Sequence, residues 1–71
     1  MTYLVVIERG PRSWGAHVPD LPGCIAVAKT RAAVVKRIAD AIEFHLEGLR
    51  EAGEEIPEPR SEARLVDVEA A

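Results

Sequence analysis

The feature that most constrains the fold is a short segment reading HVPDLPGC at residues 17–24, in which two prolines and a glycine surround one aspartate. Pro19 and Pro22 each fix φ near about −65° and lack an amide donor, so neither fits the middle of a central strand. Gly23 can adopt positive φ without strain, and Asp20 can cap its own backbone in an Asx-type turn. The segment predicts a rigid connection between two strands, and taken alone it fits a plain turn better than a binding loop.

Short runs of β-branched and apolar residues on both sides of this turn predict three strands. Residues 3–8 have apolar side chains on both faces, which is typical of a central strand. Residues 14–18 return across a turn and form a hairpin with the first strand. Residues 24–28 follow the turn as a third strand of small and branched residues.

One long amphipathic helix follows. Thr30 is a good N-cap because its hydroxyl can accept a hydrogen bond from a free amide of the first turn. Apolar residues then recur at steps of three and four, at Val34, Val35, Ile38, Ala41, Ile42, Leu46 and Leu49. Gly53 is a suitable stop signal, and residues 63–68 alternate weakly and predict a short edge strand. The order β-β-β-α-β, with the helix packed on a mainly antiparallel sheet, predicts a single α+β domain over residues 1–71.

The size of the chain predicts self-association. A domain of 71 residues buries only about 60% of its unfolded surface. Nearly half of the residues are apolar, at 48%, but the aromatic ones are limited to Tyr3, Trp14 and Phe44. The core is therefore aliphatic and small, and we expect a homo-oligomer, most simply a homodimer.

Charge and cysteine content limit the classes of partner and compartment. Nine basic and 12 acidic residues give a net charge of −3, whereas nucleic-acid binders concentrate positive charge, so no direct DNA binding by this chain is expected. The single cysteine, Cys24, suits a reducing compartment. The sequence has no long apolar run and no signal-peptide pattern, so we expect a cytoplasmic protein that does not enter a membrane.

The sequence shows no convergent catalytic or metal-binding motif. Nuclease chemistry on paired magnesium ions needs several carboxylates at one point. The acidic candidates are Glu8, Asp20, Glu43 and Asp67, and they form no evident cluster. The candidate soft ligands His17, Cys24 and His45 lack zinc-site spacing, and Cys24 fits a small buried hydrophobe. No catalytic residue, metal or cofactor is predicted.

The order of these motifs resembles the HicB-like antitoxin family over roughly residues 3–60. The resemblance is carried by the PDLPGC turn, the Thr-capped helix containing AIEFHLEG, and the exit EEIPEP. The family usually places a Gly-Asp pair before the capping threonine, where this chain has Ala28 and Lys29. The resemblance implies a partial ribonuclease-H-like fold and a non-enzymatic protein that sequesters a small, basic, mRNA-cleaving toxin by covering its active surface.

Three residues are the predicted partner contacts: Trp14, Asp20 and Leu21. Asp20 and Leu21 lie in the stiff turn, which loses little entropy on binding. Trp14 is either a core residue or an exposed interface anchor. Many family members carry a C-terminal DNA-binding segment, and the sequence after residue 68 is expected to be too short for one. The alternative functions are a stand-alone dimeric interaction module that has lost its toxin, and a residual ribonuclease-H-like nuclease.

Overall fold

The computed structural model of the chain describes residues 1–70. It contains strands β1 (Val6–Arg9), β2 (Trp14–His17) and β3 (Ile25–Ala28), followed by helix α1 (Arg31–Glu51). The helix packs on one face of the antiparallel sheet, so the predicted α+β class is confirmed. Within the described part of the chain, no helix is long and apolar enough to cross a membrane.

The sheet is a three-stranded meander in the order β1-β2-β3. Val6 pairs with His17 and Arg9 with Trp14, while His17 also pairs with Ile25. The central strand is therefore β2, and the prediction that the first strand is central is wrong. Two successive hairpins place the middle strand between the other two. The apolar residues of β1 predicted a strand that is covered on both faces, but the helix covers the sheet on one face only.

Helix α1 has defined signals at both ends. The Thr30 hydroxyl accepts a hydrogen bond from the Ala33 amide at 3.1 Å, which confirms the predicted N-cap. Gly53 has φ 70° at the other end. Its amide donates to Arg50 and the Glu54 amide donates to Leu49, which is the Schellman arrangement that closes a helix.

The core lies between the helix and the covered face of the sheet. The buried apolar residues are Ala16, Val18, Leu21, Cys24, Ala28, Val34, Ile38 and Leu46. Leu21 and Val34 are the largest fully buried side chains. The helix packs chiefly on β3 and β2, so the core is centred away from β1.

The chain after the helix does not form the predicted fourth strand. Residues 54–70 contain neither helix nor strand, so the described order is β-β-β-α. Residues 62–70, here called the C-terminal arm, are all exposed. The radius of gyration is 14.3 Å, against about 11 Å for a compact chain of this length. An edge strand needs a neighbouring strand for its hydrogen bonds, and among residues 1–70 the arm pairs with none of the three strands.

Candidate partner-binding surface

The turn between β2 and β3 is closed by its own backbone. The Leu21 amide donates to Val18 at 3.0 Å, the Cys24 amide donates to Leu21 at 3.0 Å, and the Val18 amide donates to Cys24 at 3.2 Å. Gly23 has φ 84°, the left-handed conformation that glycine adopts without strain. The predicted rigid connection between two strands is therefore confirmed.

Leu21 lies inside the core. Its side chain has 0% exposure, because the turn folds it under the helix instead of presenting it to solvent. A side chain with no exposed surface cannot reach a partner, so the predicted contact through Leu21 is corrected to a packing role that holds the turn in place.

Asp20 binds the segment that leaves the helix. Its Oδ2 accepts hydrogen bonds from the amides of Arg60 at 2.8 Å and Ser61 at 2.9 Å, and its Oδ1 accepts one from the Ser61 hydroxyl at 2.9 Å. The two amides, that of Ser61 first, lower the pKa of the Asp20 carboxyl. The predicted Asx-type cap on its own turn is wrong, because the carboxylate bonds to residues 40 positions away. We call Asp20, Arg60 and Ser61 the Asp20 clamp.

A second contact holds the segment that leaves the helix, near the β1 edge of the sheet. The Tyr3 hydroxyl donates a hydrogen bond to the carbonyl of Pro57, and Ile56 packs against the core. Tyr3 precedes β1, whereas Asp20 follows β2. Residues 57–61 therefore cross the end of the sheet from the β1 side to the β2–β3 turn.

Trp14 combines both of its predicted environments. It is partly buried and packs against the core cluster. The Arg9 guanidinium lies 5.9 Å from the centroid of its ring, within range of a cation–π contact. Part of the indole therefore remains available at the end of β2, next to a cation.

The face of the sheet away from the helix is uncovered. The strand register places the following side chains on it, here called the open sheet face: Val6, Glu8, Gly15, His17, Ile25 and Val27. Ile25 is 67% exposed and Val27 is 56% exposed. Gly15 lies at its centre, where an added Cβ would meet no atom within 4 Å, and forms the floor of a shallow depression. The alternation of Ile25 and Val27 with small residues is the sequence signal that indicates this face.

One polar pair lies beside the depression. His17 Nδ1 and Glu8 Oε1 are 4.0 Å apart, and both side chains are largely exposed. The open sheet face therefore offers two branched aliphatic side chains, a glycine floor and an acidic edge. These groups can bind a partner through apolar contact and charge.

The remaining candidate residues do not assemble into a reactive site. Among residues 1–70, no group of three or more His, Cys, Asp or Glu side chains lies close enough to hold a metal ion. Cys24 is buried, and burial raises the pKa of its thiol. The predicted role of Cys24 as a small core residue is confirmed.

These features define a small α+β domain whose sheet is covered on one side only. The family model described as HicB-like antitoxin of bacterial toxin–antitoxin system matches residues 3–70. The chain therefore belongs to the HicB-like antitoxin family, as its motifs indicate. The partial ribonuclease-H-like architecture stays a prediction.

Comparison with individual proteins adds a phage relative. The chain is 37% identical over 57 residues to an uncharacterized 14.9 kDa protein in the rep-hol intergenic region of Haemophilus phage HP1 (strain HP1c1). The match covers 80% of this chain and 43% of the phage protein. The chain thus spans less than half the length of the relative. No solved structure matches the chain.

Proposed function

We propose that this chain is an antitoxin that binds a small, basic, mRNA-cleaving toxin on the open sheet face and so covers the active surface of the toxin. Family membership supports a toxin partner in general. The observation that carries the proposal is the exposure of Ile25 and Val27 on an ordered strand. Exposed branched aliphatic side chains grouped on a sheet are typical of an interaction site.

The physical properties of this face suit tight binding. Ile and Val have few side-chain rotamers, and the strands already fix their backbone, so little conformational entropy is lost when a partner binds. Glu8 lies beside them, and the chain carries a net charge of −3. Complementary charge attracts a basic partner and raises the association rate.

The predicted contact residues take different parts in this proposal. Trp14 is proposed as a contact at the margin of the interface: its side chain lies on the helix-covered face of the sheet, but the indole is only partly buried and lies at the start of the central strand. Asp20 is proposed to act indirectly, because its carboxylate already accepts three hydrogen bonds from the exit segment. Because the proposed toxin acts on mRNA, we also propose that the pair resides in the cytoplasm.

The test is binding to a small basic protein encoded next to this chain, measured by calorimetry with purified components. Val27→Glu places a charge in the open sheet face and should weaken binding at least about tenfold, because a buried unpaired charge opposes association. Phe44→Glu is the matched control, since Phe44 is 79% exposed on the helix, away from this face. It should leave binding unchanged.

The functional readout is cleavage of mRNA by the toxin. Equimolar wild-type chain should suppress cleavage, and Val27→Glu should suppress it only at higher concentration. Equal loss with Val27→Glu and Phe44→Glu would refute the assignment of the open sheet face. Absence of any toxin binding would favour the stand-alone dimeric module, and magnesium-dependent RNA cleavage by the chain alone would favour the nuclease.

We also propose that the chain is a homodimer. The buried core listed above contains no aromatic residue, and the branched residues of the arm remain in solvent: Leu65 is 101%, Val66 is 68% and Val68 is 81% exposed. Burying apolar surface gains about 25 cal/mol per Å², which favours association of such a chain. Light scattering at micromolar concentration should give twice the mass of one chain.

A further inference from the structure

The C-terminal arm has the composition of a strand but lies unpaired. Leu65, Val66 and Val68 are β-branched or large aliphatic residues, which fit a pleated, half-buried surface. All three are exposed, so neither their side chains nor their backbone gain from packing. An unpaired apolar strand is a surface that normally finds a partner.

The Asp20 clamp keeps the start of the arm away from the outer edge of β1 in its own chain. The clamp holds Ser61 at the β2–β3 turn, and Glu62 alone separates it from Ala63. Two residues of extended chain span at most about 7 Å. A strand added outside β1 would lie at least two strand spacings from β2, which is about 10 Å.

The two edges of the sheet differ in how they are covered. Arg37 on helix α1 donates from Nη1 to the carbonyl of Val27 at 2.8 Å and so occupies the β3 side. Within residues 1–70, β1 hydrogen-bonds only to β2 in the sheet. Its other edge therefore keeps free backbone donors and acceptors, which accept an added strand.

We propose that two copies of this chain exchange their C-terminal arms, residues 63–68 of each copy adding a strand outside β1 (Val6–Arg9) of the other. The inference rests on the proposed self-association and specifies how it is achieved. The partner is a second copy of the chain because each chain provides both parts of the contact: the free edge of β1 and the unpaired C-terminal arm. In the proposed dimer the exchange is reciprocal, so the contact closes with two-fold symmetry.

The two segments match in side-chain chemistry. Val6 and Ile7 precede Glu8 and Arg9 in β1, while Arg64 and Asp67 flank Leu65 and Val66 in the arm. Opposite charges face each other in either strand direction: Glu8 can meet Arg64 when the strands are antiparallel. When they are parallel, Arg9 can meet Asp67. Cross-strand pairs of opposite charge and of apolar residues stabilise a sheet.

The test uses single proline substitutions in the full chain. Alternate residues of an added strand point their amides at the neighbouring strand, so proline removes a ladder hydrogen bond at every second position. One of Leu65→Pro and Val66→Pro should raise the dimer dissociation constant at least about tenfold, and the other should change it much less. The measurement is the mass by light scattering across a dilution series, with circular dichroism to show that the helix is retained.

Controls separate this interface from the open sheet face and from simple loss of hydrophobicity. Val27→Glu should leave the dimer intact. Leu65→Ala and Val66→Ala keep the amide of each residue and should weaken the dimer less than the disruptive proline. Hydrogen exchange should show slow amides in residues 63–68 of the wild-type dimer.

Each other outcome overturns a stated part of the inference. A dimer that neither proline weakens would keep the self-association and overturn the arm exchange. A mass of one chain with slow arm amides would show that the arm folds on its own domain, which also overturns the exchange. A mass of one chain with fast arm amides would overturn both the exchange and the proposed dimer.

Discussion

The two faces of strand β3 carry different kinds of side chain. Under the helix, β3 and its preceding turn contribute the small residues Cys24, Ala26 and Ala28, and on the open side β3 contributes Ile25 and Val27. Small residues let the helix approach the sheet closely, and the larger branched residues are left for contacts outside the chain. The difference indicates that the small residues of β3 pack under the helix, and in the proposed complex its larger residues contact the partner.

The largest expected difference in stability comes from shortening a side chain in the core. Leu21→Ala should lower the free energy of unfolding by about 2–5 kcal/mol, because Leu21 is fully buried and its loss leaves a cavity. Ile25→Ala removes a similar volume from the open sheet face and should change stability by less than about 0.5 kcal/mol. Urea denaturation of both variants measures the difference, and equal losses would show that the open face is covered in solution.

Replacing small residues by larger ones should also affect the stability of the two faces differently, because only the covered face is packed. Ala28→Leu should cost about 1–3 kcal/mol, because it forces extra volume between β3 and the helix. Gly15→Ala on the open face should be neutral or raise stability by up to about 1 kcal/mol, since the added methyl meets no atom. Thermal unfolding of both variants measures the direction of each change in stability. A destabilising Gly15→Ala would show that the central depression is already filled.

The cap of the covering helix gives a smaller effect. Thr30→Ala removes the hydroxyl that accepts the Ala33 amide and should cost about 1 kcal/mol. Thr30→Ser keeps the hydroxyl and should retain most of the stability. Denaturant unfolding of the pair measures the contribution, and equal values for both variants would contradict a role for the hydroxyl.

The smallest expected effect on stability comes from protonation of Asp20 in the Asp20 clamp at acidic pH. The folded-state pKa of Asp20 lies below its unfolded value, so its hydrogen bonds stabilise the folded state at every pH above the unfolded pKa, about 3.9. This contribution is lost as the pH falls through the folded pKa, and it is constant near neutrality. The protection of the Arg60 and Ser61 amides, measured as their exchange rates relative to the intrinsic rates at the same pH, should fall only in that acidic range.

The variant Asp20→Ala should produce the same release of residues 57–61 at neutral pH. Asp20→Asn is the conservative control, because its amide oxygen can still accept a hydrogen bond. It should give intermediate exchange rates. Slow exchange of Arg60 and Ser61 in Asp20→Ala would show that the contact at Pro57 holds the segment without the clamp.

Local signals predicted the elements because they act between residues close in sequence. The Thr30 cap, the Gly53 stop and the spacing of the apolar helix residues predicted helix α1 nearly to its ends. The prolines and Gly23 predicted the closed turn for the same reason. The order of these motifs also indicated the family, which the family match over residues 3–70 confirms.

The candidate site was less predictable because it depends on distant residues. The open sheet face is defined by the pairing of β2 with β1 and β3, which no single strand encodes. The hydrogen-bond partners of Asp20 lie 40 residues away, so its neighbours in sequence predict only a cap on its own turn. Leu21 was assigned to the surface because it lies in a turn, although the turn folds inward.

The sequence by itself determined where the helix begins and ends, where the chain turns and which class of fold results. These outcomes follow from backbone preferences and from periodic burial, both of which are local. Only the tertiary structure decided that β1 lies at an edge, that residues 63–68 stay unpaired in one chain and that Asp20 holds the exit segment. Each of these depends on which distant groups meet in space, and hydrogen bonds between such groups depend on how the sheet and the helix pack.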